Sequence, residues 1–176
     1  MKKRNFFFND GIFLKNSIGI EIGIFKGHFA ERVINRISPK MYYMIDPWKY
    51  VKGWDKYKYK NRKLLGQEDM DWMYEDICKR FDKPNVKIYR DYSQNVVNEF
   101  KDLYFDFVYV DGHHSYESVL QDLTLYYPKV KVGGILAGDD WIIKGQDRVK
   151  RAVIDFSKEI NLKFKVKENQ YWFQKI

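Results

Sequence analysis

Apolar and polar positions along the chain alternate between short apolar runs and amphipathic stretches. SIGIEIGIF (17–25) is a compact β-rich run, which predicts a strand. In GHFAERVINRIS (27–38), Phe29, Val33, Ile34 and Ile37 recur at helical spacing. KMYYMID (40–46) predicts a second strand, and 67–81 a helix with Met70, Met73, Tyr74, Ile77 and Phe81 on one face. NVKIYRD (85–91) reads as a third strand, followed by a short helix over 93–101 that Ser93 can cap. YFDFVYVD (104–111) is a fourth strand. The helix over 115–130 has Ser115 as its cap, but Ser118 stands where a capping box needs Glu or Gln. GGILAGDD (133–140) is a fifth strand and 147–160 a helix. The alternating LKFKVKEN and QYWFQKI predict a closing hairpin.

Strand–helix alternation of this kind predicts an α/β fold. The expected form is a Rossmann-like, seven-stranded, mostly parallel sheet with helices on both faces and a C-terminal antiparallel hairpin. A chain of 176 residues suits one domain, 1–176. Ligands of open α/β sheets gather at the carboxyl ends of the strands. The positions to inspect are therefore Glu21–Gly27, Asp46, Asp91, Asp111 and Asp139–Asp140, and each run ends in an acidic residue or a glycine turn.

Composition narrows the picture further. With 45% hydrophobic and 18% aromatic residues, the chain is not a disordered one. The single cysteine, Cys78, cannot form an internal disulfide, so a reducing, cytoplasmic setting is expected. MKKRNFFFNDGIF starts like a signal peptide, but Asn9 and Asp10 break its apolar run after three phenylalanines. No stretch approaches membrane-spanning length. The formal charge of +8 comes largely from lysines spread along the chain. The exception is 47–65, where Trp48, Tyr50, Trp54, Tyr57 and Tyr59 interleave with Lys49, Lys52, Lys56, Lys58, Lys60, Arg62 and Lys63. This segment is expected to act as a lid or substrate loop. Its aromatics and cations suit an anionic acceptor, or form a solvated surface loop.

The strand ends carry the candidate chemistry. Gly23 and Gly27 make the first strand-to-helix turn, but G-x-G-x-x-G spacing is absent. Glu21 before the turn would repel phosphate and suits a ligand with cationic or amino groups. Asp46 can accept two hydrogen bonds from a ribose diol, or sit in a turn before Pro47. Asp91, with Tyr92 and Ser93, can meet an adenine edge or cap the next helix. Neighbouring strands run about 4.8 Å apart. Asp111, Asp139 and Asp140 should therefore converge, and a hard cation such as Mg2+ would relieve their repulsion. The alternative is that they cap helices or meet lysines. In DGHHSYE (111–117), His114 is a candidate base, whereas His113 is expected to order the loop and His28 to line the pocket.

Together these positions resemble the class I S-adenosylmethionine-dependent methyltransferases, over Ser17 to Ile176. The resemblance implies that EIGIFKG (21–27) wraps the methionine part of the cofactor, that Asp46 holds its ribose, and that RDYS (90–93) lies by the adenine. It places Glu21, Gly23, Phe25, Gly27, His28, Asp46, Asp91, Tyr92, Ser93, Asp111 and His113 around S-adenosylmethionine. DGHHSYE and the later GG…DD are closest to the metal-dependent O-methyltransferases, in the branch of macrolide-sugar and cephamycin enzymes. That similarity implies Mg2+ on Asp111, Asp139 and Asp140, His114 as base, and a hydroxyl of a small molecule or saccharide as acceptor. The chain is expected to lack the long amino-terminal helical region of many such enzymes, which leaves its oligomeric state open. Two other readings stand beside this one. One is a nucleotide- or nucleic-acid-binding module on the same scaffold, and the other a metal-independent N-methyltransferase.

Overall fold

The computed structural model describes residues 4–176, apart from the side chain of Trp54; Met1–Lys3, the charged start of the leader-like stretch, lie outside it. The chain opens with a single-turn helix α1 (Phe6–Asn9), then β1 (Ile18–Ile22), α2 (His28–Ile37) and β2 (Met41–Ile45). The 47–65 segment contains a short hairpin, β3 (Lys58–Tyr59) and β4 (Arg62–Lys63), ahead of α3 (Gln67–Arg80) and β5 (Val86–Tyr89). α4 (Ser93–Val96) runs into a tighter 3₁₀ turn at Val97–Glu99, followed by β6 (Phe105–Val110), α5 (Tyr116–Tyr126) and β7 (Val130–Gly138). α6 (Arg148–Glu159), β8 (Phe164–Lys167) and β9 (Gln170–Gln174) complete the fold. α5 stops short of the predicted end because Pro128 follows: Tyr127 is still helical and donates to Leu123, but proline has no N–H to continue the ladder.

The seven-stranded sheet has the order β5-β2-β1-β6-β7-β9-β8. β5, β2, β1, β6 and β7 are mutually parallel, and β9 runs antiparallel to both neighbours. The hairpin therefore folds back so that its second strand is the inner one. β9 buries Tyr171 and Phe173, while β8 exposes Lys165 and Lys167, the composition of a protected edge.

Strand periodicity divides the core into two layers. Tyr42, Met44, Phe107 and Tyr109 face α2 and α3, whereas Tyr43, Ile45, Val108 and Val110 face α5 and α6. The arm before β1 joins the first layer. Phe13 stacks on Phe107 with ring centroids 4.2 Å apart and on Phe7 at 4.6 Å, and Phe7 meets Tyr109 edge-on at 5.8 Å. The FFF run is thus a docking plug. Gly19 makes room for this stack, because a Cβ there would lie 2.0 Å from the ring of its register partner Phe107. Among the described residues no helix is long and apolar enough to cross a membrane.

Phe13 is 2% exposed, so its truncation leaves a cavity between the arm and the sheet. Phe13→Ala is expected to cost about 3–5 kcal/mol in denaturant unfolding; a loss below about 1 kcal/mol would mean that the arm is not part of the core.

Candidate functional site

A cleft of about 1330 Å³ opens at the carboxyl ends of the parallel strands. Its floor is the turn after β1. Gly23 adopts φ +88°, and a Cβ there would stand 2.2 Å from the carbonyl oxygen of Asp111. Only glycine lets the turn pass this close to the end of β6. Backbone bonds fix the approach: the Gly23 N–H donates to Ile45 and the Asp111 N–H to Ile22, both at 2.8 Å. Gly27, at φ +70°, opens α2, and a Cβ would meet the Phe81 ring at 2.7 Å.

Asp46 lies at the wall of the cleft and also holds the turn together. Its carboxylate accepts from the backbone N–H groups of Ile24 (2.9 Å), Phe25 (2.8 Å) and Trp48 (2.7 Å). Burial pushes its pKa up, and these three donors oppose the push. The Trp48 indole, fully buried, donates to the Phe25 carbonyl at 3.1 Å. Phe25 has φ +46°, an unfavourable conformation that these bonds sustain.

The three carboxylates expected at one point divide between two. Asp139 is 8% exposed and turns into the protein, where it accepts from Gln170, itself bonded to the Tyr109 hydroxyl. Asp140, the next residue, faces the cleft at φ +60° and stands 3.4 Å from His114 Nδ1. Both lie past the end of β7 at Gly138, and the left-handed turn at Asp140 accompanies the separation of the Asp–Asp pair. Asp111, His114 and Asp140 are left together, with one ligand atom of each within 4.8 Å of the others. Into the gap between Asp111 and Asp139 comes Arg4. Its Nη1 donates to Asp111 at 2.9 Å and its Nη2 pairs with Asp139. Burial and the Asp140 charge raise the Asp111 pKa, while Arg4 and His114 oppose them.

The remaining predicted residues lie at different depths around this centre. His113 contacts Ser118 Oγ at 3.4 Å, tying the loop to α5, whose cap is Ser115. His28 borders the cleft at the start of α2, its pKa lowered by burial and by Lys26. Asp91 accepts from the Tyr92 N–H and from Asn95 while lining the cleft with Tyr92 and Ser93. Glu21 does not reach the cleft wall. It is 1% exposed beneath the floor and accepts from the Tyr42 hydroxyl at 2.5 Å. Burial raises its pKa to about 8.

Two residues escape the sequence reading. Asp122 lines the cleft, accepts from Ser93 Oγ, and has its pKa raised by burial to about 6. Its signal was present: it occupies an apolar-stripe position of α5 beside Val119, Leu123 and Tyr126. Arg4 had none, since its partners lie more than a hundred residues away.

The 47–65 segment forms one wall, and two groups of its cations differ in their partners. Lys60 pairs with Asp76 and Arg62 with Asp69, each at 2.5 Å, which ties the hairpin to α3. Lys49, Lys52 and Lys56 border the cleft and have no carboxylate partner among the described residues.

Residues 20–141 match a family model described as a methyltransferase domain. No curated protein matches the chain. Among solved structures, the O-methyltransferase NovP superposes with a TM-score of 0.63 at 15% identity, covering 90% of this chain and 72% of that one. An rRNA methylase from Streptococcus thermophilus gives 0.60 at 14% identity, over 96% and 92%. A precorrin-6y C5,15-methyltransferase from Geobacter metallireducens gives 0.62 at 10% identity, over 92% and 80%. At these identities the likeness is one of fold.

The buried acids give stability a pH dependence with a definite sign. Glu21 titrates at about 8 in the fold against an ordinary 4.5, so between these values the folded state holds the extra proton. Its contribution is complete at low pH and is lost as pH rises through 8. Asp122 does the same between 3.8 and about 6. The melting temperature is expected to fall from pH 5 to pH 8, and Glu21→Gln to flatten the upper part of that fall.

Proposed function

The chain belongs to the methyltransferase-domain family and is an S-adenosylmethionine-dependent enzyme, and we propose that it methylates a hydroxyl of a small molecule or saccharide with the help of Mg2+. The observation that carries the reading is the meeting of Asp111, His114 and Asp140 beside the Gly23 turn. The floor suits a sulfonium nucleoside. The glycine turn leaves room for close approach, and the acidic strand ends favour a cation over a phosphate.

Methyl transfer needs the acceptor oxygen aligned with the methyl group and relieved of its proton. His114 is the residue for the proton. Asp140, 3.4 Å from Nδ1, orients the ring and stabilises it once protonated. Asp111 and Asp140, with His114 beside them, are the residues that would hold Mg2+; two carboxylates make a hard-ligand set. The ion would supply polarisation of the acceptor hydroxyl. Asp139 would act from behind, through the charge it shares with Arg4.

One observation favours a second reading. The Arg4 guanidinium already offsets Asp111 and Asp139, so the His114–Asp140 pair can serve as a base without a metal. Nitrogen acceptors fit that version equally well. The lid-wall cations without a carboxylate partner among the described residues bear on the acceptor in both. Lys49, Lys52 and Lys56 favour one that carries negative charge, such as a nucleotide-linked sugar.

Three outcomes are expected. Gly23→Ala should weaken S-adenosylhomocysteine binding by more than about tenfold in calorimetry, a change of ~1.4 kcal/mol; equal affinity would remove the cofactor assignment. Chelation should abolish turnover and added Mg2+ restore it. Turnover that survives chelation but falls ~10²- to 10⁴-fold in His114→Ala would assign the metal-free base instead. Replacing Lys49, Lys52 and Lys56 together by Gln should raise KM for a nucleotide-linked acceptor and reduce its salt dependence, with kcat little changed.

A further inference from the structure

We propose that Arg4 recognises the α-carboxylate of the methionine portion of S-adenosylmethionine, with Asp111 beside it facing the α-ammonium. The proposal rests on the methyltransferase reading and adds a binding residue to it.

The cofactor of such an enzyme ends in an amino-acid zwitterion. A zwitterion is recognised by a fixed cation and a fixed anion set side by side. Arg4 Nη1 and Asp111 Oδ2 form such a pair, 2.9 Å apart, and both line the cleft where Gly23 passes the end of β6. Asp139 adds a second carboxylate behind the guanidinium, so the group of three carries a net negative charge. A ligand that presents its ammonium to the carboxylates and its carboxylate to the guanidinium improves the balance at both places. The guanidinium has five N–H donors in a planar fork, and a carboxylate fits such a fork with two parallel bonds.

The position of Arg4 is built rather than incidental. Its guanidinium lies 5.4 Å from the Phe29 ring centroid and 5.7 Å from that of Tyr109. Two and three residues later, Phe6 and Phe7 are 4% and 0% exposed in the core and anchor the arm. Lys26 is a competing cation on the same turn, but its ammonium lies over Phe25 and Tyr57, at 5.0 and 5.8 Å from their centroids.

The test compares two nucleosides that differ by the carboxylate alone: S-adenosylhomocysteine and S-(5′-adenosyl)-3-thiopropylamine. Calorimetry on the full chain should show the wild type preferring the first by ~10- to 100-fold. Arg4→Gln should bind the two alike, with its affinity for the amine close to wild type. Arg4→Lys should keep part of the preference, and Lys26→Gln all of it. A wild type that does not discriminate, or an Arg4→Gln protein that still does, overturns the proposal. So does an Arg4→Gln protein that loses both nucleosides equally while Arg4→Lys restores neither, because that pattern marks a purely structural arm. A wild type that binds neither nucleoside removes the cofactor reading itself, a result distinct from all of these.

Discussion

The site depends on one close approach, the passage of Gly23 against the Asp111 carbonyl. The parallel register of β1 with β2 and β6 brings the three strand ends level, and a side chain at position 23 would drive the turn out of the cleft. Everything functional is referenced to that contact. Asp46 reaches across from β2 to hold the turn by its N–H groups. Asp111 and the loop that carries His113 and His114 leave β6 from the other side of it. A sheet that pairs correctly therefore assembles the floor without further instruction.

Acidic residues at the strand ends are the second constraint, because five carboxylates in one region repel unless each is answered. The structure answers them differently. Asp46 is met by three backbone donors. Glu21 is buried and holds its proton up to about pH 8. Asp111 and Asp139 share a guanidinium, and Asp140 turns to an imidazole and to Asn169. The groups still able to take a ligand are those that are partly solvated, Asp111 and Asp140 with His114. Glu21 and Asp139 act from below, Glu21 through its hydrogen bond with Tyr42 and Asp139 through its charge beside Arg4.

Much of this was legible in the sequence. The five parallel strands, their order of acidic ends and the closing hairpin follow from apolar periodicity, because each strand or helix has its signal within a few residues. The separation of Asp139 from Asp140 arises in a left-handed turn past the end of β7, which apolar periodicity does not mark. Proximity in sequence was a poor guide there. Other features depend on contacts between distant segments. The FFF run reads as an interrupted leader and becomes a core plug only because Gly19 leaves space above β1 for Phe107 and Phe13. Arg4 is held in place by the plug that comes just after it, and the lid cations Lys60 and Arg62 are set by the aspartates that α3 offers opposite.

The arm also bears on how the cleft is tuned. A divalent ion held by Asp111 and Asp140 would share one carboxylate with the guanidinium that bridges Asp111 and Asp139. Each lowers the negative potential that the other meets. Three carboxylates balance one Arg and one divalent ion together, with no net charge left over. With Arg4 alone they retain a negative field suited to a sulfonium centre. The same aspartate thus couples the amino-terminal arm to whatever cation the cleft holds. That coupling follows from Asp111 lying in contact with the arm on one side and within ligand distance of His114 and Asp140 on the other.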